Sequence, residues 1–499
     1  MNPNGETPKE RKIIWLLCLA AAIHVFAFSA AFPLFNNVDE PFHFDLVVKY
    51  SHGDVPRGIE RMSPDSATWL ALLNCHAYFT RPDQYPGGRF PPPAWTLPAD
   101  KSAQDIATRS ADWKTQANYE VSQTPLYYAL AAAWWHIGVW IGFHDGRLVY
   151  WLRFLNIALV SALVWLAYAT ARLVFPNNSF ARLGVPALLA LMPQTAFYSI
   201  GNDVLSPLCF GITFPFLLKW IASEIPSPAI GAVMGLGFAA TFLTKMTNVP
   251  LLAVVAAVVL VKAARDAQGG KLRPALPALA AFLYCALPPI LAWMIWCKSN
   301  FNDLTGSSVK THFLGWTLKP FGEWWHHPIF TPGGLWTYLS GQLGTFWQGE
   351  FLWQHQPLAL PGTEFVYSIL SLALLAPVCP VLLPQRSNEP NLLRLALGLS
   401  LVCFAAELVF YAMLSVIYDF HDCPNPTREH PYFQAGRMML GALIPFLLLF
   451  VYGMDRVLSR FGVRTKFSIL LACLGVMLAV EVATDWPALF NEYNWFHLP

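Results

Sequence analysis

The stretch IIWLLCLAAAIHVFAFSAAFPLFNNVDEPFHF (residues 13–44) decides the class of this protein. Residues 13–35 carry no Asp, Glu, Lys or Arg, and they are long enough to cross about 30 Å of hydrocarbon. Two adjacent carboxylates, Asp39 and Glu40, follow almost at once, at a depth where an unused charge is costly. The basic segment 9–12 precedes the run, so we expect the N-terminus inside and both acids outside.

The composition of the whole chain agrees with this interpretation. Of the 499 residues, 55% are hydrophobic and only 12% are charged, which is typical of a polytopic membrane protein. A net charge of +2 without a basic patch indicates a membrane partner and no nucleic acid. The first apolar run is longer than the core of a signal peptide and lacks a clear cleavage site, so we expect a retained helix.

Eleven apolar runs have the length and composition of membrane-spanning helices. They cover residues 13–35, 151–175, 183–200, 204–222, 228–244, 248–264, 274–297, 365–384, 392–416, 437–453 and 467–485. A twelfth run, 124–143, is predicted to be a juxtamembrane or re-entrant helix that does not cross. With that choice nearly all the flanking lysines and arginines lie inside, and the short outer connections keep only Lys245, Arg428 and Arg437.

The predicted class is therefore an all-α polytopic membrane protein with two large outer segments. Its parts are the inner N-terminus and first span (1–35), an outer segment with the acidic motif and juxtamembrane helices (36–150), spans two to seven (151–297), a second outer segment (298–364), spans eight to eleven (365–485) and an outer tail (486–499). The outer segments are too long for simple connectors. They suit a substrate surface, or alternatively a pair of lids resting on the headgroups.

Two of the nine cysteines, Cys75 and Cys423, fall in the predicted outer segments. A disulfide can form there, although nothing in the sequence pairs them. No Cys or His spacing indicates a zinc site.

Isolated polar residues stand at several predicted outer helix ends. Asn202 and Asp203 lie between two apolar runs, Lys245 interrupts another pair, and Arg437 opens a later run. Together with Asp39 they provide what an anionic lipid headgroup needs, namely cations for a phosphate and a carboxylate for chemistry. The alternatives are a structural ion pair between Asp203 and Lys245 and simple snorkelling of Arg437 to the headgroups.

Three further residues are candidates for substrate binding. His43 follows Glu40 by three positions, so on a helix it shares the face of the acids and can orient an acceptor or bind a metal with Asp39. It can equally well only hydrogen-bond its neighbours. Tyr127 and Tyr128 can stack on a sugar or polyprenyl unit, although aromatic residues at an interface are usually anchors.

Six motifs occur in an order that resembles bacterial polytopic proteins of the GT-C glycosyltransferase superfamily. They are VDEPFHFDLVVKYSHGDVP (38–56), SQTPLYYALAAAW (122–134), LRFLNIALV (152–160), ALMPQTAFYSIGNDVL (190–205), LTKMTNVPLL (243–252) and QAGRMMLGALIPF (434–446). The chain is most similar to an uncharacterised bacterial family of predicted polytopic membrane proteins. It resembles protein O-mannosyltransferases and lipid A aminoarabinose transferases more distantly.

The resemblance implies a GT-C-like bundle of about eleven spans in the bacterial cytoplasmic (inner) membrane, with its site on the extracytoplasmic face. It also implies a polyprenyl-phosphate-linked sugar as donor. By the same resemblance Asp39 is the general base, and Glu40 orients the acceptor or supports the base. Asp203 would hold the acceptor or a metal, whereas Lys245 and Arg437 would bind the donor phosphate.

Elementary chemistry fits this function. Displacement at an anomeric carbon needs a base and stabilised charge on the departing phosphate, and it inverts the carbon. A divalent metal is optional because polyprenyl phosphate is a good leaving group, and its candidate ligands are Asp39, His43 and Asp203. The acceptor can be a lipid, a glycan or a protein of the cell envelope. The main alternative is a transporter or flippase for a lipid-linked or anionic substrate, and a third interpretation is a non-catalytic scaffold.

Overall fold

The computed structural model describes residues 8–37, 39–74, 80–382, 391–423 and 425–499. Across these ranges the chain is mostly helical. Its α-helices, numbered α1 to α18 in chain order, are Pro8–Ala31, Glu40–Ser51, Pro64–Leu72, Ala99–Thr115, Leu126–Trp140, Asp145–Val174, Ser179–Ala190, Ser206–Ala222, Pro228–Thr244, Val249–Gln268, Leu272–Phe301, Ser307–Phe313, Pro332–Gln348, Thr363–Leu375, Cys379–Leu382, Asn391–Ile417, Leu443–Val457 and Val463–Leu489.

The β-structure of the described residues is confined to short antiparallel pairs. The strands β1 to β6 are Glu60–Arg61, Ala117–Asn118, Thr317–Leu318, Leu352–Trp353, Gln356–Pro357 and Tyr418–Asp419. β1 pairs with β2, β3 with β6, and β4 with β5. Five of these strands lie in the two predicted outer segments, where they pin loops and build no sheet core.

Nine helical segments of the described chain are long and apolar enough to cross a membrane. They are Pro8–Ala31, Asp145–Val174, Asn202–Ala222, Met246–Gln268, Leu272–Phe301, Thr363–Leu382, Asn391–Ile417, Gly436–Val457 and Val463–Leu489. Two shorter apolar helices, Ser179–Ala190 and Pro228–Thr244, fall where the other two spans are expected. The all-α polytopic class is thereby confirmed, and the sidedness of the spans stays a prediction.

One predicted span, 183–200, is wrong as a continuous helix. Helix α7 ends at Ala190, and the chain then runs irregularly as far as residue 205, apart from two short 3₁₀ turns. Pro193 explains the break, since proline lacks a backbone N–H and disfavours helical geometry in the residue before it. The buried Asn156 amide donates to the carbonyls of Phe197 (3.1 Å) and Ser199 (2.8 Å). Irregular backbone at membrane depth is tolerated when protein groups satisfy it in this way.

The two predicted outer segments carry short helices that pack beside the bundle. The ambiguous apolar run, 124–143, forms the fifteen-residue helix α5 within the first outer segment. Its position as a juxtamembrane or re-entrant helix stays a prediction. In the bundle, Gly231 and Gly235 let α9 approach α11 closely, because a side chain at either position would strike the α11 backbone. The suggested disulfide cannot be assessed, because Cys75 lies outside the described residues.

Candidate functional site

Four residues from distant parts of the chain form one charged cluster. Asp39 precedes α2, Asp203 lies in the 3₁₀ turn Asn202–Val204, Lys245 follows α9, and Arg437 lies in the 3₁₀ turn Gly436–Ala442. Arg437 Nη2 donates to Asp39 Oδ2 (2.5 Å) and Nη1 to Asp203 Oδ2 (2.8 Å). Lys245 pairs with the other oxygen of Asp203. The structure thus brings together the residues that the sequence suggested for a phosphate site.

A third carboxylate, which the sequence reasoning missed, completes the surroundings of Arg437. Arg437 Nε donates to Glu350 Oε2 at 2.6 Å, so each guanidinium nitrogen contacts a different acid. Glu350 follows the C-terminus of α13, and its backbone N–H donates to Thr195 Oγ1 (3.1 Å). A signal was available, because Glu350 is the only Asp, Glu, Lys or Arg between Glu323 and Glu364.

Asp39 has a second set of contacts on the side of the first outer segment. The Tyr119 hydroxyl donates to Asp39 Oδ1 at 2.9 Å. Lys310 of α12 pairs with Glu120 and lies 5.2 Å from the centre of the Tyr119 ring. Burial raises the pKa of the Asp39 carboxyl, but the charges of Lys310 and Arg437 outweigh it and hold that pKa well below its usual range. Asp39 is therefore an anion at neutral pH.

Glu40 has a different environment although it is the next residue. Both of its oxygens accept from Arg153 of α6 at 2.7 Å, and Oε1 also accepts from the Ile200 N–H at 2.9 Å. Arg153 donates in addition to the carbonyls of Phe32 (3.1 Å) and Pro33 (3.0 Å). Both side chains are fully buried. Of the two predicted roles, supporting the base fits this geometry, whereas orienting an acceptor does not, because no part of the carboxylate is accessible.

The two predicted aromatic residues hydrogen-bond to the chain segments that carry Asp39 and Asp203. Tyr127 and Tyr128 are fully buried. The Tyr127 hydroxyl accepts from the Gly201 N–H (3.1 Å), and the Tyr128 hydroxyl bonds to His43 Nδ1 (2.7 Å). The prediction that these tyrosines stack on a sugar is therefore corrected, since neither ring has an open face. His43 is itself buried, which lowers its pKa and favours the neutral imidazole.

A family model described as "Predicted membrane protein (DUF2142)" matches residues 22–419. The chain belongs to this family. The match includes Asp39, Asp203, Lys245 and Glu350, and it ends before Arg437. None of the curated proteins matches the sequence.

Two solved structures of an oligosaccharyltransferase from Archaeoglobus fulgidus are similar at low identity. One is AglB in complex with an inhibitory peptide and a dolichol-phosphate, with 11% identity, 97% of this chain and 56% of that chain covered, and a TM-score of 0.43. The other is the apo form, with 12% identity, coverage of 95% and 55%, and a TM-score of 0.38. This DUF2142 chain thus spans about half their length. At these scores the likeness carries no argument about activity.

Asn202 joins the first outer segment to the cluster of this DUF2142 protein. Its amide donates to Gln123 Oε1 (3.0 Å) and to the Thr244 carbonyl (3.1 Å), next to Lys245. Gln123 in turn donates to Glu120 (2.5 Å). Asn202 therefore holds three chain segments in register, and a direct substrate contact stays a prediction.

The candidate metal ligands Asp39, His43 and Asp203 do not form a metal site. Within the described ranges, no group of three His, Cys, Asp or Glu side chains is arranged to hold a metal ion. The Arg437 guanidinium bridges the two aspartates, while His43 bonds to Tyr128. A guanidinium thus occupies the position between the carboxylates that a bound metal would take.

An apolar cavity of about 750 Å³ lies between α14, α17 and α18. Val366 of α14, Phe450 of α17 and Val476 of α18 are among its lining residues, together with Trp347. Trp347 precedes Glu350 by three residues along the chain. The end of α13 therefore lines the cavity, and the segment that follows reaches Arg437.

Proposed function

We propose that this protein is an inverting membrane glycosyltransferase that moves a sugar from a polyprenyl-phosphate-linked donor to an acceptor hydroxyl on the extracytoplasmic face. The observation that carries the proposal is the convergence of Asp39, Asp203, Lys245 and Arg437 in one cluster at the ends of four helical segments. Acids and bases from distant positions have no reason to meet at membrane depth unless a polar ligand uses them or they bind one another.

The proposed step is one displacement in which atoms and charges balance. The acceptor hydroxyl gives its proton to Asp39, its oxygen attacks the anomeric carbon, and the bond from that carbon to the phosphate oxygen breaks. Polyprenyl phosphate leaves with one additional negative charge, which Arg437 and Lys245 would stabilise. Attack opposite to the leaving group inverts the anomeric carbon.

Asp39 is suited to accept the proton by its position rather than by high basicity. Its Oδ1 already accepts a hydrogen bond from a hydroxyl, that of Tyr119. An acceptor hydroxyl can take the same place, provided that Tyr119 turns away. Because the pKa of Asp39 is lowered, proton transfer would come late, when bond formation to the anomeric carbon has made the acceptor hydroxyl acidic.

The apolar cavity between α14, α17 and α18 supports a lipid-linked donor. Its walls are almost entirely hydrocarbon, which suits a polyprenyl tail, and the chain leads from Trp347 in its wall to Glu350 at Arg437.

No metal is needed in this proposal, because the two cations supply the charge stabilisation. Transfer should therefore persist in the presence of a chelator. Complete and metal-reversible loss of transfer on chelation would contradict the proposal.

Native mass spectrometry of the detergent-purified protein tests the donor site. Wild type should carry polyprenyl phosphate or its glycosylated form, and Lys245→Ala and Arg437→Ala should lose it. Lys271→Ala is the matched control, because Lys271 lies in an exposed ion pair with Glu224. If no protein binds a polyprenyl species, even when it is added, the proposal fails.

A transporter or flippase is the second candidate, and one residue favours it. Glu407 lies within the span Asn391–Ile417, is fully buried, and neither of its oxygens has a hydrogen-bond partner in the described part of the chain. Such residues often mark ion or substrate pathways. Movement of lipid-linked sugar across vesicles by Asp39→Asn at the wild-type rate, with no transfer by either protein, would favour this candidate.

A further inference from the structure

The charged cluster around Arg437 cannot accept a phosphate in the arrangement that the structure shows. Three carboxylates, Asp39, Asp203 and Glu350, face two cations, Arg437 and Lys245, which leaves one excess negative charge. The neighbouring pair of Lys310 and Glu120 adds one charge of each sign and leaves this excess unchanged. A phosphate that approaches Arg437 would thus meet repulsion and a guanidinium whose three nitrogens are all engaged.

Glu350 differs from the two aspartates in accessibility. Its side chain is 18% exposed, compared with 11% for Asp39 and 5% for Asp203. Glu350 is therefore the most accessible of the three acids to an arriving phosphate. It contacts Arg437 through Nε alone, whereas Arg437 Nη1 and Nη2 hold the aspartates.

The backbone around Glu350 is fixed, so only the side chain needs to move. The Leu352 N–H donates to the Asn36 carbonyl (3.1 Å), and the Asn36 amide donates back to the Leu352 carbonyl (2.9 Å). Gly349 precedes Glu350 with a φ of 79°, which favours glycine. A Cβ at that position would also strike Thr195. Rotation about the Glu350 side-chain bonds can release Arg437 without any opening of the loop.

We propose that Glu350 occupies the place of the donor phosphate on Arg437 in the donor-free protein and is displaced when the phosphate binds. This inference rests on the proposed function, because it assumes that Arg437 receives the phosphate. A carboxylate and a phosphate oxygen accept the same charge-assisted hydrogen bond from a guanidinium. Glu350 then competes with the donor for Arg437, so removal of its charge should strengthen donor binding. Removal of a residue that binds the donor directly would weaken it.

The protonation state of Glu350 gives the proposal a second, independent consequence. Burial raises the pKa of the Glu350 carboxyl, and although Arg437 opposes this, the negative charges of Asp39 and Asp203 add to the rise. Glu350 therefore takes up a proton at a higher pH than a free glutamate. Once neutral, it no longer repels the phosphate, so its competition should weaken as the pH falls.

The test is a titration of detergent-solubilised protein with undecaprenyl phosphate. It compares wild type, Glu350→Gln, Arg437→Ala and the control Glu323→Gln, which changes an exposed acid in the same outer segment. At pH 7.5, Glu350→Gln should bind about tenfold more tightly than wild type, and Glu323→Gln should match wild type. The difference should shrink toward pH 5.5. The lipid phosphate, whose second pKa is about 6, also loses charge over this range, so the comparison at pH 7.5 carries the test.

The outcomes separate this inference from the proposed function. If Glu350→Gln binds as wild type does or more weakly, while Arg437→Ala loses binding, Glu350 is not a competitor but the phosphate site stands. If no protein binds undecaprenyl phosphate, the proposed function fails and this inference fails with it. Thermal unfolding of each variant ensures that the compared proteins are folded.

Discussion

Two arginines, Arg153 and Arg437, each hold one of the adjacent acids Glu40 and Asp39, and their surroundings differ. Arg153 is fully buried, and its remaining hydrogen bonds go to backbone carbonyls. Arg437 bonds through its side chain to three carboxylates from three different segments.

Backbone acceptors cannot leave an arginine without unfolding the chain, but side-chain acceptors can rotate away. The Glu40–Arg153 pair is therefore suited to fixing the turn that precedes α2. The Arg437 cluster is suited to exchanging partners with a ligand. Neighbouring residues of the same charge thus differ in role because of what surrounds their partners.

The substitution Asp39→Asn tests the functional role of the Arg437 cluster, and we expect the largest effect for it. Loss of the base should lower sugar transfer by about 10² to 10⁴-fold, since general base catalysis contributes about that factor. Binding of polyprenyl phosphate should remain, because the variant keeps both cations, Arg437 and Lys245, and Asp203 still holds them. The measurement is transfer from the donor identified by mass spectrometry. Wild-type transfer by this variant would remove Asp39 from the mechanism.

The next largest effect is expected for Glu40→Gln, and it concerns stability. An uncompensated Arg153 in a fully buried site should cost about 3 kcal/mol of unfolding free energy. Thermal unfolding in detergent measures it, with Glu224→Gln as the control, because that acid pairs with Lys271 at the surface. If transfer falls sharply while the unfolding temperature is unchanged, Glu40 acts in the reaction. The Glu40–Arg153 pair would then not be purely structural.

Arg437→Lys should have an intermediate effect on donor binding. A lysine provides one point charge and cannot replace three separately directed nitrogens. We expect polyprenyl phosphate to bind about ten- to a hundredfold more weakly. Arg428→Lys is the control, because Arg428 is exposed and pairs with Asp419. Unchanged binding by Arg437→Lys would instead support the alternative that Arg437 only snorkels to the lipid headgroups.

The sequence predicted most of the spans and four members of the cluster because charges are rare in this chain. Each of the four interrupts or borders an apolar run: Asp39, Asp203, Lys245 and Arg437. Charged residues are rare at such positions in a membrane protein, whereas a soluble protein has many of them, so these four can be recognised from the sequence. The thickness of the hydrocarbon layer sets the length of a membrane-spanning helix, so such helices can be recognised from the length of the apolar runs. Composition and run length were thus sufficient for the class and for the candidates.

Apart from the pair of Asp203 and Lys245, which the sequence offered as an alternative, the sequence could not reveal which charges meet. Arg153 lies inside a predicted span, and only the fold brings it to Glu40 across more than a hundred residues. Glu350 lies in an aromatic stretch that suggested a surface rather than an ion pair. Tyr127 and Tyr128 look like ligand contacts by type, yet they are fully buried. Pairing and burial depend on tertiary structure, which local patterns do not determine.

The smallest effect, expected for Tyr119→Phe, tests whether the cluster really exchanges partners. The Tyr119 hydroxyl donates to the Asp39 oxygen that an acceptor hydroxyl would need. Its removal should cost about 1 kcal/mol of stability and leave transfer within about threefold of wild type, because the acceptor replaces it. Tyr338→Phe is the control, since its hydroxyl donates to the Leu408 carbonyl away from the cluster. A loss as large as that of Asp39→Asn would mean that Tyr119 carries the proton, and that the contact with Asp39 must persist during the reaction rather than yield to the acceptor.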